Sequence, residues 1–227
     1  HRDLHSFPTR RSSDLLADHI AVGQSLLHDA SFHLGRFLVR MVAVTAFIEA
    51  VGALSLYVFD PVGFAPFSAV FHSVSAFCNA GFGLFPDNLM AYAGHPGVNA
   101  VIMWLIISGG LGFAVLIEGY RVFRSRLWGE GRLAGRHLPL SWYARTVFAF
   151  SAFLILAGAA MIFCGEFLGG RYPELGLADR AMAAVFQSVT CRTAGFNTVD
   201  IGRMADASLV IMILLMFIGG SPGSCAG

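Results

Sequence analysis

The sequence has no lysine and few charges of either sign. All fifteen basic residues are arginine, charged residues make up 13% of the 227 residues, and the formal net charge is +1. This near-neutral balance indicates neither a nucleic acid nor an acidic molecule as a partner. The four cysteines lie at scattered positions without metal-ligand spacing. The sequence therefore predicts neither a disulfide framework nor a zinc site.

What the chain has in excess is apolar residues. Hydrophobic residues make up 56% of the sequence, and the mean hydropathy is +0.67. This composition is typical of proteins whose helices face lipid. We therefore expect an all-α polytopic membrane protein in contact with membrane lipid.

The chain also contains an internal repeat. The stretch Ala69–Phe82 (AVFHSVSAFCNAGF) returns as Ala184–Phe196 (AVFQSVTCRTAGF) with one residue fewer. Such a repeat indicates duplicated structural modules. We expect two pore modules, at 37–119 and 146–227.

Each module reads as a membrane helix, a half-length helix with a loop, and a second membrane helix. In the first module, the runs 37–59 and 98–117 can cross ~30 Å of hydrocarbon, and Gly109–Gly112 permits a bend or close packing in the second run. The run 66–78 would make only ~20 Å of helix. A half-length helix followed by a glycine loop is tolerated at membrane depth only inside protein or beside water, which predicts a re-entrant pore helix. The matching runs in the second module are 146–164, 180–190 and 208–218.

Three segments lie outside the modules. Residues 1–15 look like translated foreign DNA, with a disordered cytoplasmic tail as the alternative, and residues 16–36 are expected to form a cytoplasmic linker. The loop 120–145 is rich in arginine, whereas 57–98 contains no Arg or Lys. The positive-inside rule therefore places the loop 120–145 in the cytoplasm, so that both re-entrant loops enter from the outside.

A half-length helix followed by a glycine loop suits the dehydration of a cation. Backbone carbonyls can replace the water shell of the ion if consecutive residues are extended with alternating handedness, which glycine permits. The partly negative C-terminal end of the half-length helix also favours a cation. We therefore expect Gly81 and Gly195 to occupy filter positions.

The two repeats, together with IGGSPGSCAG at 218–227, resemble the Trk/Ktr/HKT superfamily of potassium-translocating membrane subunits, and the Ktr type in particular. The resemblance covers 36–227 and corresponds to the second and third of the family's four modules, so the chain is interpreted as a fragment that does not conduct alone. It implies two ion-selectivity filter segments: Asn79, Ala80, Gly81, Phe82 and Thr193, Ala194, Gly195, Phe196. The first three carbonyls of each segment are the implied K⁺ ligands. The implied gating loop is Gly219, Gly220, Ser221, Pro222, Gly223.

The resemblance also implies ligands and partners. The transported ion is K⁺, with coupling to Na⁺ or H⁺ left open, and no organic cofactor is implied. The expected assembly is a homodimer with a cytosolic nucleotide-binding regulatory subunit, for which the loop 120–145 faces the correct side. The expected location is the plasma (inner) membrane.

Several residues around the filter have expected supporting roles. His72 and Gln187 occupy equivalent positions and are expected to be hydrogen-bonding struts. Arg192 is expected to be buried behind the filter and paired with Asp200 or with Glu166. Small cysteines precede both filter segments, and Cys78 and Cys191 could make the pore sensitive to thiol reagents.

Other functions stay open at this point. One is an intramembrane enzyme using Glu49, His72 and Glu118, although no HExxH, paired Asp or Ser/Lys arrangement accompanies them. Another is a purely structural role. Within the transporter interpretation, a less selective sodium/potassium transporter is the alternative.

Overall fold

The computed structural model describes residues 34–127, 140–167, 172 and 175–226. The expected head at 1–15, most of the expected linker and the middle of the arginine-rich loop lie outside these ranges, so the expectations for them stay predictions. The chain divides into two compact units, His1–Ala43 and Val44–Gly227. The described residues of the first unit, 34–43, are helical.

The described residues form seven α-helices and no strand, which confirms the all-α fold class. The helices are α1 (Leu34–Phe59), α2 (Pro66–Phe77), α3 (Pro96–Gly110), α4 (Phe113–Leu127), α5 (Trp142–Ile162), α6 (Leu177–Thr190) and α7 (Asp206–Ile218). A π-helical turn, Phe163–Phe167, continues α5. Single 3₁₀ turns lie at Met90–Tyr92 and Ile201–Arg203.

Helices α1 and α5 are long and apolar enough to cross a membrane, over Phe37–Phe59 and Trp142–Glu166. Helices α3 and α4 are each too short to cross a membrane alone. Together they are long and apolar enough for a third span, but they are bent by 110° at the break between them. The sequence allowed a bend at this point, and the structure shows a complete break. Gly112 has a φ of +91°, which side-chain-bearing residues rarely adopt, so the helix cannot continue through it.

The half-length helices of the two modules are α2 and α6, with 12 and 14 residues. They are about 18 and 21 Å long, too short to cross ~30 Å of hydrocarbon. Pro66 lies in the first turn of α2, where its missing N–H costs no helical hydrogen bond. Helix α7 ends at Gly219, whose φ is +66°.

Both half-length helices dock on the preceding membrane helix through the same contact. A serine hydroxyl donates to a helical carbonyl at 2.7 Å, from Ser73 Oγ to Glu49 O and from Ser188 Oγ to Ile155 O. Gly52 and Gly158 lie beside these hydroxyls. A Cβ at either position would come within 2.6 or 2.5 Å of the serine oxygen. The missing side chains therefore let the two helices approach closely enough for the bond to form.

The largest hydrophobic core joins the two modules. Phe64 and Phe77 of the first module and Phe186 and Phe196 of the second are fully buried in it. Because Phe196 closes the second filter loop, that loop is held partly by the first module.

Candidate ion-selectivity site

The loops that follow the two half-length helices have the same backbone conformation. In the first filter segment (79–82), φ is +51° at Asn79 and +72° at Gly81. In the second (193–196), it is +69° at Thr193 and +84° at Gly195. The intervening alanines are not among the positive-φ residues. Both segments therefore alternate in handedness, which is the geometry that a row of carbonyls facing one side requires.

The last polar residue of each half-length helix holds its loop at two points. The hydroxyls donate to the carbonyl after the glycine, from Ser75 Oγ to Phe82 O at 2.8 Å and from Thr190 Oγ1 to Phe196 O at 2.7 Å. The backbone carbonyls of the same two residues accept from the loop amides of Ala80 and Ala194, both at 2.9 Å. These supporting hydrogen bonds were not predicted from the sequence. Their signal was the pairing of two hydroxyl residues, Ser75 and Thr190, in the aligned repeats.

Most filter carbonyls remain available to a cation. Within the described part of the chain, five of them accept no hydrogen bond: those of Asn79, Ala80, Thr193, Ala194 and Gly195. Gly81 O receives one long hydrogen bond, 3.4 Å, from Asn88 Nδ2. Unpaired carbonyls are costly away from water, so a dehydrated cation among them would satisfy both partners.

The two filter segments face each other at backbone distance. A Cβ placed on Gly81 would lie 2.3 Å from Ala194 O and 2.8 Å from the Cα of Gly195. A Cβ on Gly195 would lie 3.5 Å from the Cα of Gly81, an ordinary contact distance. Glycine at position 81 is therefore required by space as well as by φ.

His72 links the first half-length helix to the chain beyond the filter. It is fully buried, with Nδ1 2.7 Å from Ser68 O and Nε2 accepting from the Leu84 N–H at 3.2 Å. This pairing requires the neutral tautomer with the proton on Nδ1. The ring also stacks on Phe85, with 4.8 Å between centroids. The equivalent Gln187 is fully buried, and its amide atoms have no hydrogen-bond partner among the described residues.

Arg192 is buried, but its expected ion pair is wrong. Its Nε donates to Gly219 O at 3.4 Å. The carboxylate of Asp200 accepts from the Gly202 N–H at 2.9 Å, and that of Glu166 accepts from the Ala205 N–H at 2.8 Å. Each carboxylate lies at the N-terminal end of a helical element, where backbone N–H groups lack partners and attract an anion.

The expected gating loop docks on the break between α3 and α4. Three backbone hydrogen bonds join the segment 219–226 to the break: Ser221 N to Gly110 O (2.9 Å), Phe113 N to Gly223 O (3.0 Å) and Cys225 N to Gly109 O (3.1 Å). Its far end touches the second filter segment, with Thr193 Oγ1 3.1 Å from Ala226 O. The loop is hydrogen-bonded in this way because a broken helix leaves unpaired backbone groups, and this neighbouring segment pairs them.

The residues of the enzyme alternative serve separate contacts. The Glu118 carboxylate accepts from the N–H and the hydroxyl of Ser141, at the start of α5. His72 holds the loop contacts above, and the Glu49 carbonyl accepts from Ser73. Across the residues that the structure describes, no group of three or more His, Cys, Asp or Glu could hold a metal ion.

Comparison with known proteins agrees with this geometry. The model of the TrkH family, described as "Cation transport protein", matches residues 36–227. The chain is 40% identical over 161 residues to the Ktr system potassium uptake protein B of Bacillus subtilis, covering 70% of this chain and 34% of that protein. It is 32% identical over 196 residues to the potassium/sodium uptake protein NtpJ of Enterococcus hirae, covering 85% and 41%.

A solved structure is similar in fold. The crystal structure of the potassium transporter TrkH from Vibrio parahaemolyticus matches with a TM-score of 0.63 and 19% identity, over 93% of this chain and 42% of that one. The chain thus spans less than half the length of the relatives and of the structure that it matches.

Proposed function

Because the chain belongs to the TrkH family of cation transport proteins, we propose that it forms two pore modules of a potassium uptake transporter in the cell membrane. The observation that carries this proposal is the matched pair of filter segments with alternating handedness and unpaired carbonyls. Potassium is the cargo named for both sequence relatives. Membership of a cation transport family favours this function over the intramembrane enzyme.

The filter would bind K⁺ through the carbonyls of Asn79, Ala80, Gly81, Thr193, Ala194 and Gly195. These six oxygens contribute part of a ring, and further modules of a longer protein would supply the rest. The Ser75 and Thr190 hydroxyls hold the loops from behind. They fix the spacing of the carbonyls without using the lone pairs that face the ion.

The segment Gly219–Gly223 would act as the gate below this filter. At Gly219 it lies beside the second filter segment, since a Cβ added there would be 3.5 Å from Thr193 Cγ2, and Ser221 and Gly223 bind the α3–α4 break. Helix α4 runs from the break into the arginine-rich loop 120–145. A cytosolic nucleotide-binding regulatory subunit bound to that loop, in a homodimer of the complete transporter, could therefore move the gate through α4. Coupling to Na⁺ or H⁺ is not required by this scheme.

A second candidate function is less selective uptake of sodium and potassium. It is favoured by the similarity to the Enterococcus hirae relative, which is a potassium/sodium uptake protein. The carbonyl filter is common to both candidates, so only the ion preference distinguishes them.

The test is ion uptake by the complete transporter that carries this chain, produced in a bacterium lacking potassium uptake. We expect growth at low potassium and rubidium uptake that excess sodium does not block. Thr190→Val should lower the discrimination against sodium about fivefold to tenfold, because it removes a hydrogen bond contributing about 1 kcal/mol. The control is Thr146→Val, since Thr146 donates to Trp142 O on an exposed part of α5. Equal uptake of both ions would favour the second candidate, and no cation uptake would contradict both.

A further inference from the structure

Two cysteines that are far apart in the sequence both lie against Gly109, near the end of α3. Cys78 directly precedes the first filter segment, and Cys225 lies in the segment 219–226. The two thiols are close enough to interact electrostatically. The backbone explains the approach: Cys225 N donates to Gly109 O at 3.1 Å, and a Cβ on Gly109 would lie only 1.8 Å from Phe77 O. Gly109 therefore contacts the backbone of Cys225 on one side and the backbone of Phe77, the residue before Cys78, on the other.

The surroundings favour a dithiol over a metal site. The carboxylate of Glu49 is the acidic group that interacts electrostatically with both thiols. In the described ranges, however, no set of three such residues could hold a metal ion. All four cysteines are free thiols, with Cys78 exposed and Cys225 half-buried.

The other two cysteines are poor partners. Cys191 is fully buried, which shields its sulfur from a partner in solution, and its expected thiol sensitivity stays a prediction. Cys164 lies in the π-helical turn after α5. The position of α5 relative to the expected gating loop is marked by Tyr143, near the start of that helix, whose hydroxyl donates to Pro222 O at 3.4 Å. Cys164 is about 30 Å further along the helical axis, at 1.5 Å per residue.

We propose that Cys78 and Cys225 form a reversible disulfide that fixes the segment 219–226 against the first filter segment. The oxidant is a small-molecule disulfide. One protein thiolate attacks it to form a mixed disulfide and releases one small thiol, and the second protein thiolate then displaces the other small thiol. In balance, two protein thiols become one disulfide, and one small disulfide becomes two thiols.

The consequence for transport rests on the proposed function. Hydrogen bonds to the helix break hold the segment in its present place and can be exchanged if it moves. A disulfide does not break without a reductant, so the oxidised protein cannot adopt the conformation in which the segment 219–226 has moved away from the helix break. Oxidation should therefore close the pathway, and reduction should reopen it.

The test uses the complete transporter, purified and reconstituted in liposomes, with Cys164→Ser and Cys191→Ser as the background. It is treated with oxidised glutathione, alkylated, digested without reduction and analysed by mass spectrometry. We expect a peptide pair joined through Cys78 and Cys225, and a fall of about tenfold in rubidium flux, since a locked gate leaves little of the open population. Dithiothreitol should restore the flux. Neither effect should occur in Cys78→Ser or in Cys225→Ser.

The two readouts separate this proposal from the function itself. The joined peptides are detected whether or not the protein transports ions. Their absence in the oxidised background protein overturns the proposal, and so does their presence with unchanged flux. Absence of flux in the reduced protein together with the joined peptides would instead count against the proposed potassium transport.

Discussion

Gly81 and Gly195 occupy matching positions in the two loops but have different neighbours. Both have positive φ, so any other residue would be strained by about 1–2 kcal/mol at either position. Only at Gly81 would an added side chain also collide with backbone, at 2.3 Å from Ala194 O. A side chain can change its rotamer to relieve such a clash, but a backbone carbonyl cannot. The two loops therefore share a backbone conformation, but a side chain is tolerated better at position 195 than at position 81.

We predict that Gly195→Ser lowers potassium-over-sodium discrimination while the complete transporter still folds. Gly81→Ser should also lower the melting temperature and abolish most uptake, because the two filter segments must move apart to admit the side chain. Rubidium uptake with competing sodium, and thermal unfolding of the purified protein, measure the two effects. Gly94→Ser is the control, since a Cβ there has nothing within 4 Å. Wild-type ion preference in both variants would contradict the assignment of Gly81 and Gly195 to the ion-selectivity filter.

The aligned repeats predicted glycine at the matching positions 81 and 195, because a backbone with positive φ favours glycine over other residues. The same alignment contained the pairs Ser73 with Ser188 and Ser75 with Thr190, but nothing in a single sequence states what a hydroxyl will contact. The partner of Arg192 could not be predicted for a similar reason. Two carboxylates were available in the sequence, and in the fold one oxygen of each accepts from a backbone N–H, while Glu166 Oε2 is buried with no hydrogen-bond partner among the described residues.

At the scale of elements, the sequence predicted where helices stop and not which ends meet. Pro222 and the neighbouring glycines predicted the end of α7, and Gly109–Gly112 predicted a weak point in the third span. The hydrogen bonds between these two irregular segments join residues more than a hundred positions apart. Backbone pairing of this kind uses no particular side chain, so it leaves no pattern in the sequence.

We predict that deletion of Gly219–Gly223 from the complete transporter raises potassium flux and weakens its control by the cytosolic partner. The deletion removes the Ser221 N–H and the Gly223 carbonyl that bind the α3–α4 break, along with the Gly219 carbonyl beside Arg192. Flux is measured in liposomes with and without the partner, and folding is checked by thermal unfolding. If regulated flux persisted, or if the protein only failed to fold, the segment would be a packing kink and not a gate.

At the scale of the whole molecule, the two connections of the first module, after α1 and before α3, are joined by a side-chain link. Tyr92, in the turn before α3, donates its hydroxyl to Asp60 Oδ2 at 2.7 Å, just beyond the end of α1. The Gly63 N–H and then this hydroxyl lower the pKa of Asp60 below its ordinary value. Burial, and then the Asp60 carboxylate, raises the pKa of Tyr92 to about 12.

The two shifts define a pH window for this link. A lowered carboxyl pKa contributes stability that is fully present above the unfolded value, about 3.9, and is lost as pH falls through the folded value. A raised phenol pKa contributes stability that is fully present below the unfolded value, about 10, and is lost as pH rises through the folded value. The link is therefore complete between about pH 4 and pH 10.

We predict that Tyr92→Phe lowers the melting temperature of the purified complete transporter by a few degrees at pH 7. The difference from the wild type should shrink as pH falls below about 4, because a protonated Asp60 accepts a weaker hydrogen bond than a carboxylate does. It should also shrink above about pH 10, where the wild-type phenol begins to lose its proton on unfolding. Tyr57→Phe, at an exposed tyrosine on α1, is the control and should show no such window. A melting difference independent of pH would mean that Tyr92 acts by packing and not through Asp60.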